Sequence, residues 1–281
     1  MTIETPTKTV MLYATVDTFD IERGATAFSL NLCKALGAGL TAFLLNIEAN
    51  APPRMASLSL DQLRAESERR EACNTANVEI LLSTAAQTGV DTRAVTALDY
   101  SRGVVGCIAD HARLHDLLVI GANGSGMMSD RLIAENLLFE IGRPMILVPS
   151  AHSGGFASQR IAVAWDNSRV AARALGDALA LLPGIREVIL LTIGGEKAIL
   201  SSIDGDAMVA MLERRGVSAR IEDRELKDRA IGEAIQDGAC ESGAGLLVMG
   251  GYGHSRLRDF ILGGATRSVF ANPQLPILLS H

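Results

Sequence analysis

The chain is 281 residues long, 48% apolar and 21% charged, and its 26 basic and 32 acidic residues leave a net charge of −6. At roughly 150 residues per domain this length predicts two domains, and the apolar content excludes wholesale disorder. The acidic balance argues against a dedicated nucleic-acid binder, which would carry a basic stripe. No apolar run approaches the roughly 18 residues of a membrane span, and the start, MTIETPTKTV, lacks the pattern of a signal peptide, so a cytoplasmic protein off the membrane is expected.

Short apolar runs alternate with longer amphipathic ones. In the first half the predicted strands are Thr9–Thr15, Leu40–Ile47, Thr92–Ala97, Leu117–Gly121 and Met145–Val148. Between them fall predicted helices at Gly24–Leu36, Leu60–Gln87, Gly103–Arg113 and Leu132–Ile141. The charged run RAESERRE within the second of these reads as a solvated helix face. The stretch SAHSGGFASQ, 150–159, is small, polar and glycine-bearing, as a linker is.

In the second half the predicted strands are Ile161–Ala164, Glu187–Ile193, Ser218–Ile221, Leu246–Gly250 and Ile277–Leu279. The predicted helices are Arg169–Leu182, Ala207–Arg215, Ala230–Glu241 and Leu257–Phe270. Near-continuous apolar strands alternating with helices predict an α/β fold with a parallel sheet covered on both faces. Right-handed crossovers make each half a doubly wound, Rossmann-like domain with five parallel strands, over 1–150 and 151–281. The four cysteines, Cys33, Cys73, Cys107 and Cys240, form no C-x-x-C pair and read as buried reduced thiols.

The two halves repeat one another. DLLVIGANGSG at 116–126 resembles GLLVMGGYGHS at 245–255, and Gly121 and Gly250 are 129 positions apart, as are Gly124 and Gly253. The first strands TVMLYATVD and RIAVAWD both stop at an aspartate, Asp17 and Asp166. PMILVPS and PILLSH, the two closing strands, match as well and could pair through their edges, making the halves an intramolecular pseudo-dimer.

In open α/β sheets ligands sit at the carboxyl ends of the strands, near the point where strand order reverses. Asp166 lies there, and so does the loop after the fourth strand, with Gly250, two residues, Gly253, nine residues, then Gly263 and Gly264. Glycines permit close backbone approach to an anion, and Gly263-Gly264-Ala265-Thr266 can point N–H groups at a phosphate. Arg256, Arg258 and Arg267 could offset its charge. A glycine-rich loop that binds nothing accounts for the spacing equally well.

VMGGYGHSRLRDFILGGATR followed by PILL resembles the signature of the universal stress protein family: glycine, two residues, glycine, nine residues, glycine, then serine or threonine. The architecture is similar to the family's tandem form. The resemblance implies a stress-response protein that binds an adenine nucleotide, ATP with magnesium, in its second domain. By position it places the base against Ala164, Trp165, Asp166 and Ile193. It places the phosphates against Met249, Gly250, Gly253, His254, Gly263, Gly264, Ala265 and Thr266. The family's serine or threonine is Gly264 here, so a hydroxyl is lost unless Thr266 supplies it. A dimerising scaffold of the same fold without nucleotide, and a homodimer, are the alternatives the resemblance leaves open.

The first half lacks the third glycine: Ala134 or Arg131 stands there, and Glu135 would bring negative charge. It therefore reads as a structural partner, with Asp17 a minor candidate. His111 and His115 are spaced to share a metal on one helix face, but no third ligand is evident, so no metal site is expected. No G-x-G-x-x-G, Walker motif or nucleophile elbow is present, and no base–nucleophile pair. No catalytic residue is assigned, and any ATP hydrolysis would be slow.

Overall fold

The computed structural model describes residues 8–46, 59–97, 101–123, 129–153, 155–194, 205–226, 228–251 and 264–281. The chain divides into two compact units, Met1–Arg143 with Ser150–Gly155, and Pro144–Pro149 with Phe156–His281.

In the first unit, β1 (Thr9–Thr15), β2 (Gly39–Leu45), β3 (Thr92–Val95) and β4 (Leu117–Gly121) form a parallel sheet in the order β3-β2-β1-β4. β4, LLVIG, is buried throughout, as an unbroken apolar run in a sheet covered on both faces must be. The connections carry α1 (Gly24–Leu36), α2 (Leu60–Thr88) and α3 (Gly103–Ala112), and α4 (Asp130–Glu140) follows β4. Ser59 and Gln62 start α2 with a reciprocal capping box.

The second unit holds β5 (Met145–Val148), β6 (Arg160–Ala164), α5 (Arg169–Leu181), β7 (Glu187–Gly194), α6 (Gly205–Arg214), β8 (Ser218–Glu225), α7 (Ile231–Glu241), β9 (Leu246–Gly250), α8 (Gly264–Ala271) and β10 (Ile277–Ser280). Its sheet runs β5-β10-β9-β6-β7-β8. From β10 to β8 every pairing is parallel. β5 runs antiparallel to β10, with Ile146 opposite Leu278, so the two closing strands of the repeat do pair. Consequently β5 belongs to the second unit, and the first unit's described sheet has four strands. Strand β8 extends past Ile221 to Glu225, because β7 offers it a partner as far as Gly194. Arg220 and Arg224 both pair with Glu222 along it, which suits a charged edge strand.

Strand order reverses between β1 and β4 in the first unit and between β6 and β9 in the second. Each crevice for a ligand opens at the carboxyl ends of those strands. Cys33 and Cys107 are buried, and burial pushes the Cys33 thiol up to about 12. Cys73 and Cys240 are exposed, contrary to expectation, because α2 and α7 each turn one cysteine to solvent. No helix among the described residues is long and apolar enough to cross a membrane.

Candidate functional site

The second unit's crevice is built by the turn between β6 and α5. Ala164 ends β6 half-buried. Trp165 follows, only 5% exposed; its backbone N–H donates to the Leu191 carbonyl and its indole Nε1 to Asn167 Oδ1, at 2.8 Å each. The ring therefore belongs to the core and not to a stacking surface. Asn167 has a φ of 58°, the left-handed conformation that asparagine tolerates better than most residues. That turn leaves Asp166 exposed, its Oδ1 accepting from the Ser168 N–H at 2.9 Å. Ser168 caps α5 by accepting from Ala171 N–H at 3.2 Å. Ile193, near the end of β7, is half-buried.

On the opposite side, Met249 is buried and Gly250 half-buried at the end of β9. Beyond it, the Gly251 N–H donates to the Ser280 carbonyl at 2.7 Å, and its carbonyl meets His281 Nδ1 at 2.9 Å. Gly264 opens α8, exposed, with nothing within 4 Å of where a Cβ would stand. Ala265 is half-buried, whereas Thr266 is 3% exposed and faces the core. The first-turn N–H groups of a helix have no partner within it, so this end can receive an anion. Gly253, His254, Gly263, Arg256 and Arg258 lie outside the described residues.

The first unit's crevice is chemically different. Asp17 is held bidentately by Arg70 of α2, Nη1 to Oδ1 at 2.8 Å and Nη2 to Oδ2 at 3.0 Å. Arg70 Nε also donates to Asn46 Oδ1 at 3.0 Å. At the start of α4, Asp130 is 1% exposed; burial pushes its carboxyl up to about 7, against hydrogen bonds from Thr18 and Asn123. Ala134 lies in the core, and Glu135 is neutralised by Arg131 one turn away at 3.0 Å. Gly124 and Gly126 lie outside the described residues.

The two histidines do other work. His111 packs its ring on Phe43, with centroids 5.0 Å apart. His115 is buried with Nδ1 on the His111 carbonyl at 2.9 Å, and burial lowers its pKa.

Neither protein-family models nor curated protein sequences give a match. Solved structures do. A universal stress protein from Archaeoglobus fulgidus superposes with a TM-score of 0.63 at 16% identity, covering 96% of this chain and 95% of its own. A candidate universal stress protein from Pseudomonas aeruginosa gives 0.56 at 12% identity over 98% and 93%. A functionally unknown protein from the same species gives 0.54 at 14% identity over 98% and 92%. The fold is that of the universal stress proteins. The positions that the sequence offers to a base, Ala164, Trp165, Asp166 and Ile193, and, of those that it offers to phosphates, the described Met249, Gly250, Gly264, Ala265 and Thr266 all fall within the second unit.

Three participants escaped sequence reasoning. Asn167 is legible as a turn former, but its bond to the indole is not. Asp130 has no sequence signal, since burial decides its state. Arg70 stands in a charged run in which Arg64, Glu68, Arg69 and Glu71 are exposed and Glu66 is half-buried, and nothing local distinguishes it.

Proposed function

We propose that this is a stress-response protein that binds an adenine nucleotide, ATP foremost, in the crevice of its second unit, and acts as a regulator or sensor and not as a fast enzyme. The observation that carries the reading is Asp166: it stands exposed at the end of β6, while the capping of α5 falls to Ser168. A carboxylate so placed can accept from an adenine amine or a ribose hydroxyl. The open N-terminus of α8 at Gly264 supports phosphates on the facing side. Magnesium would come with the phosphates, since it keeps several waters and needs few protein ligands. The repeats span 1–150 and 151–281, and the setting is the cytoplasm.

Two measurements test this. Mass spectrometry of small molecules released from freshly purified protein should find adenine nucleotide. Calorimetry should show ATP binding that Gly263→Asp abolishes and Gly124→Asp leaves in place. Protein that carries no nucleotide and gives no ATP heat would be the scaffold instead.

A further inference from the structure

Helix α2 runs 29 residues, yet its buried side chains are only Arg70, Asn74, Leu81 and Ala85. Leu81 and Ala85 seat its C-terminal half through apolar contact. Asn74 Nδ2 donates to the Leu44 carbonyl of β2 at 3.0 Å. N-terminal to these, Arg70 alone is buried. Its guanidinium spends three donors on two side chains, the carboxylate of Asp17 just past β1 and the amide oxygen of Asn46 just past β2. Those are the carboxyl ends of neighbouring parallel strands, the lip of a ligand crevice. At the equivalent position of the second unit, Asp166 is exposed and accepts from the backbone of its own turn.

We propose that Arg70 is an internal ligand of the first unit: α2 lays it across the ends of β1 and β2, where it takes the acceptors that a donor-rich ligand would use. Residues 60–69 then form a strap that this latch holds over the crevice. The proposal rests on the reading that the Asp166 crevice takes a nucleoside, and adds that the chain itself closes the other one. Arginine suits the role because its planar fork matches a carboxylate bidentately. A lysine ammonium cannot span both acceptors in that geometry.

The full chain carrying Asp166→Ala, which weakens the second unit's crevice, serves as background and baseline, and in it Arg70→Ala, Arg70→Lys and Arg70→Ala/Asp17→Asn are compared. Hydrogen exchange follows the amides of 60–69, and calorimetry uses adenosine, which needs no phosphate loop. Arg70→Ala should speed exchange at 60–69 by about tenfold or more, keep the sheet protected, and create an adenosine site that Asp17→Asn removes. Arg70→Lys should give intermediate exchange, and it carries the test if Arg70→Ala loses protection throughout the unit. Unchanged exchange at 60–69 overturns the proposal, as does faster exchange with no adenosine uptake. Failure of the second-unit reading shows separately, as unaltered wild-type protein that binds no adenosine.

Discussion

The carbonyl carbon of Val170 lies 2.6 Å from where a Cβ on Gly250 would stand, and the Val170 Cβ and Cγ2 lie 2.7 Å from it. Gly250 ends β9 and Val170 begins the buried face of α5, so the missing side chain lets the helix close onto the sheet. Sequence spacing offers Gly250 to a phosphate, and its contacts show that the position serves packing as well. Gly250→Ala pushes against backbone, which yields less readily than a side-chain end. It should cost about 1–3 kcal/mol in urea denaturation. A variant as stable as the parent, with ATP affinity lost, would return Gly250 to the ligand.

The repeat and the α/β class were legible because apolar periodicity and β–α alternation express burial, and burial dominates this fold. β4, LLVIG, and Leu246–Met249 of β9 are buried as their composition requires. The partner of β5 was half legible: matched closing strands suggested pairing, but not that Met145–Val148 would cluster with the second unit. The Asp17–Arg70 pair was illegible, because 53 residues separate its members and α2 reads as solvated. Asp130 was hidden for the same reason, since a carboxylate at a helix start normally faces water.

Gly264 stands where the family signature has serine or threonine, and nothing within 4 Å opposes a side chain there. Gly264→Ser should therefore fold as well as the parent. Its hydroxyl adds one donor toward a phosphate, worth about 1.5–3 kcal/mol when the acceptor is charged, or roughly ten- to a hundredfold in ATP affinity. Calorimetry against ATP and adenosine checks it. The gain should appear with ATP alone, and an equal gain with adenosine would move the site away from α8.

Asp130 predicts a pH dependence of stability. Its folded carboxyl sits at about 7, pushed up by burial and by the nearby Asp17 charge, whereas the unfolded chain titrates at about 3.9. Folding therefore favours the protonated acid. That contribution is full below about pH 4 and is lost as pH rises through about 7. Asp130→Asn stays neutral and keeps the shape. At about pH 8 it should be the more stable protein by up to about 4 kcal/mol, with the difference vanishing near about pH 4. Urea titrations across that range decide it: parallel curves would mean that Asp130 is not the titrating group.

Asp166 and Ser168 separate binding from folding within one turn. Asp166 is exposed and accepts the backbone N–H of Ser168, a local bond that solvent can replace. Ser168 satisfies Ala171 N–H at the start of α5, a donor with no partner inside the helix. Asp166→Ala should weaken ATP roughly ten- to a hundredfold, as expected for about 1.5–3 kcal/mol lost with a charged acceptor, and leave the melt nearly unchanged. Ser168→Ala should do the reverse, costing about 1 kcal/mol of stability with ATP affinity held. Thermal melts and ATP titrations on both variants check the division. If Asp166→Ala lowers the melting temperature and binds ATP as before, Asp166 braces the turn, and the base pocket at the end of β6 falls with it.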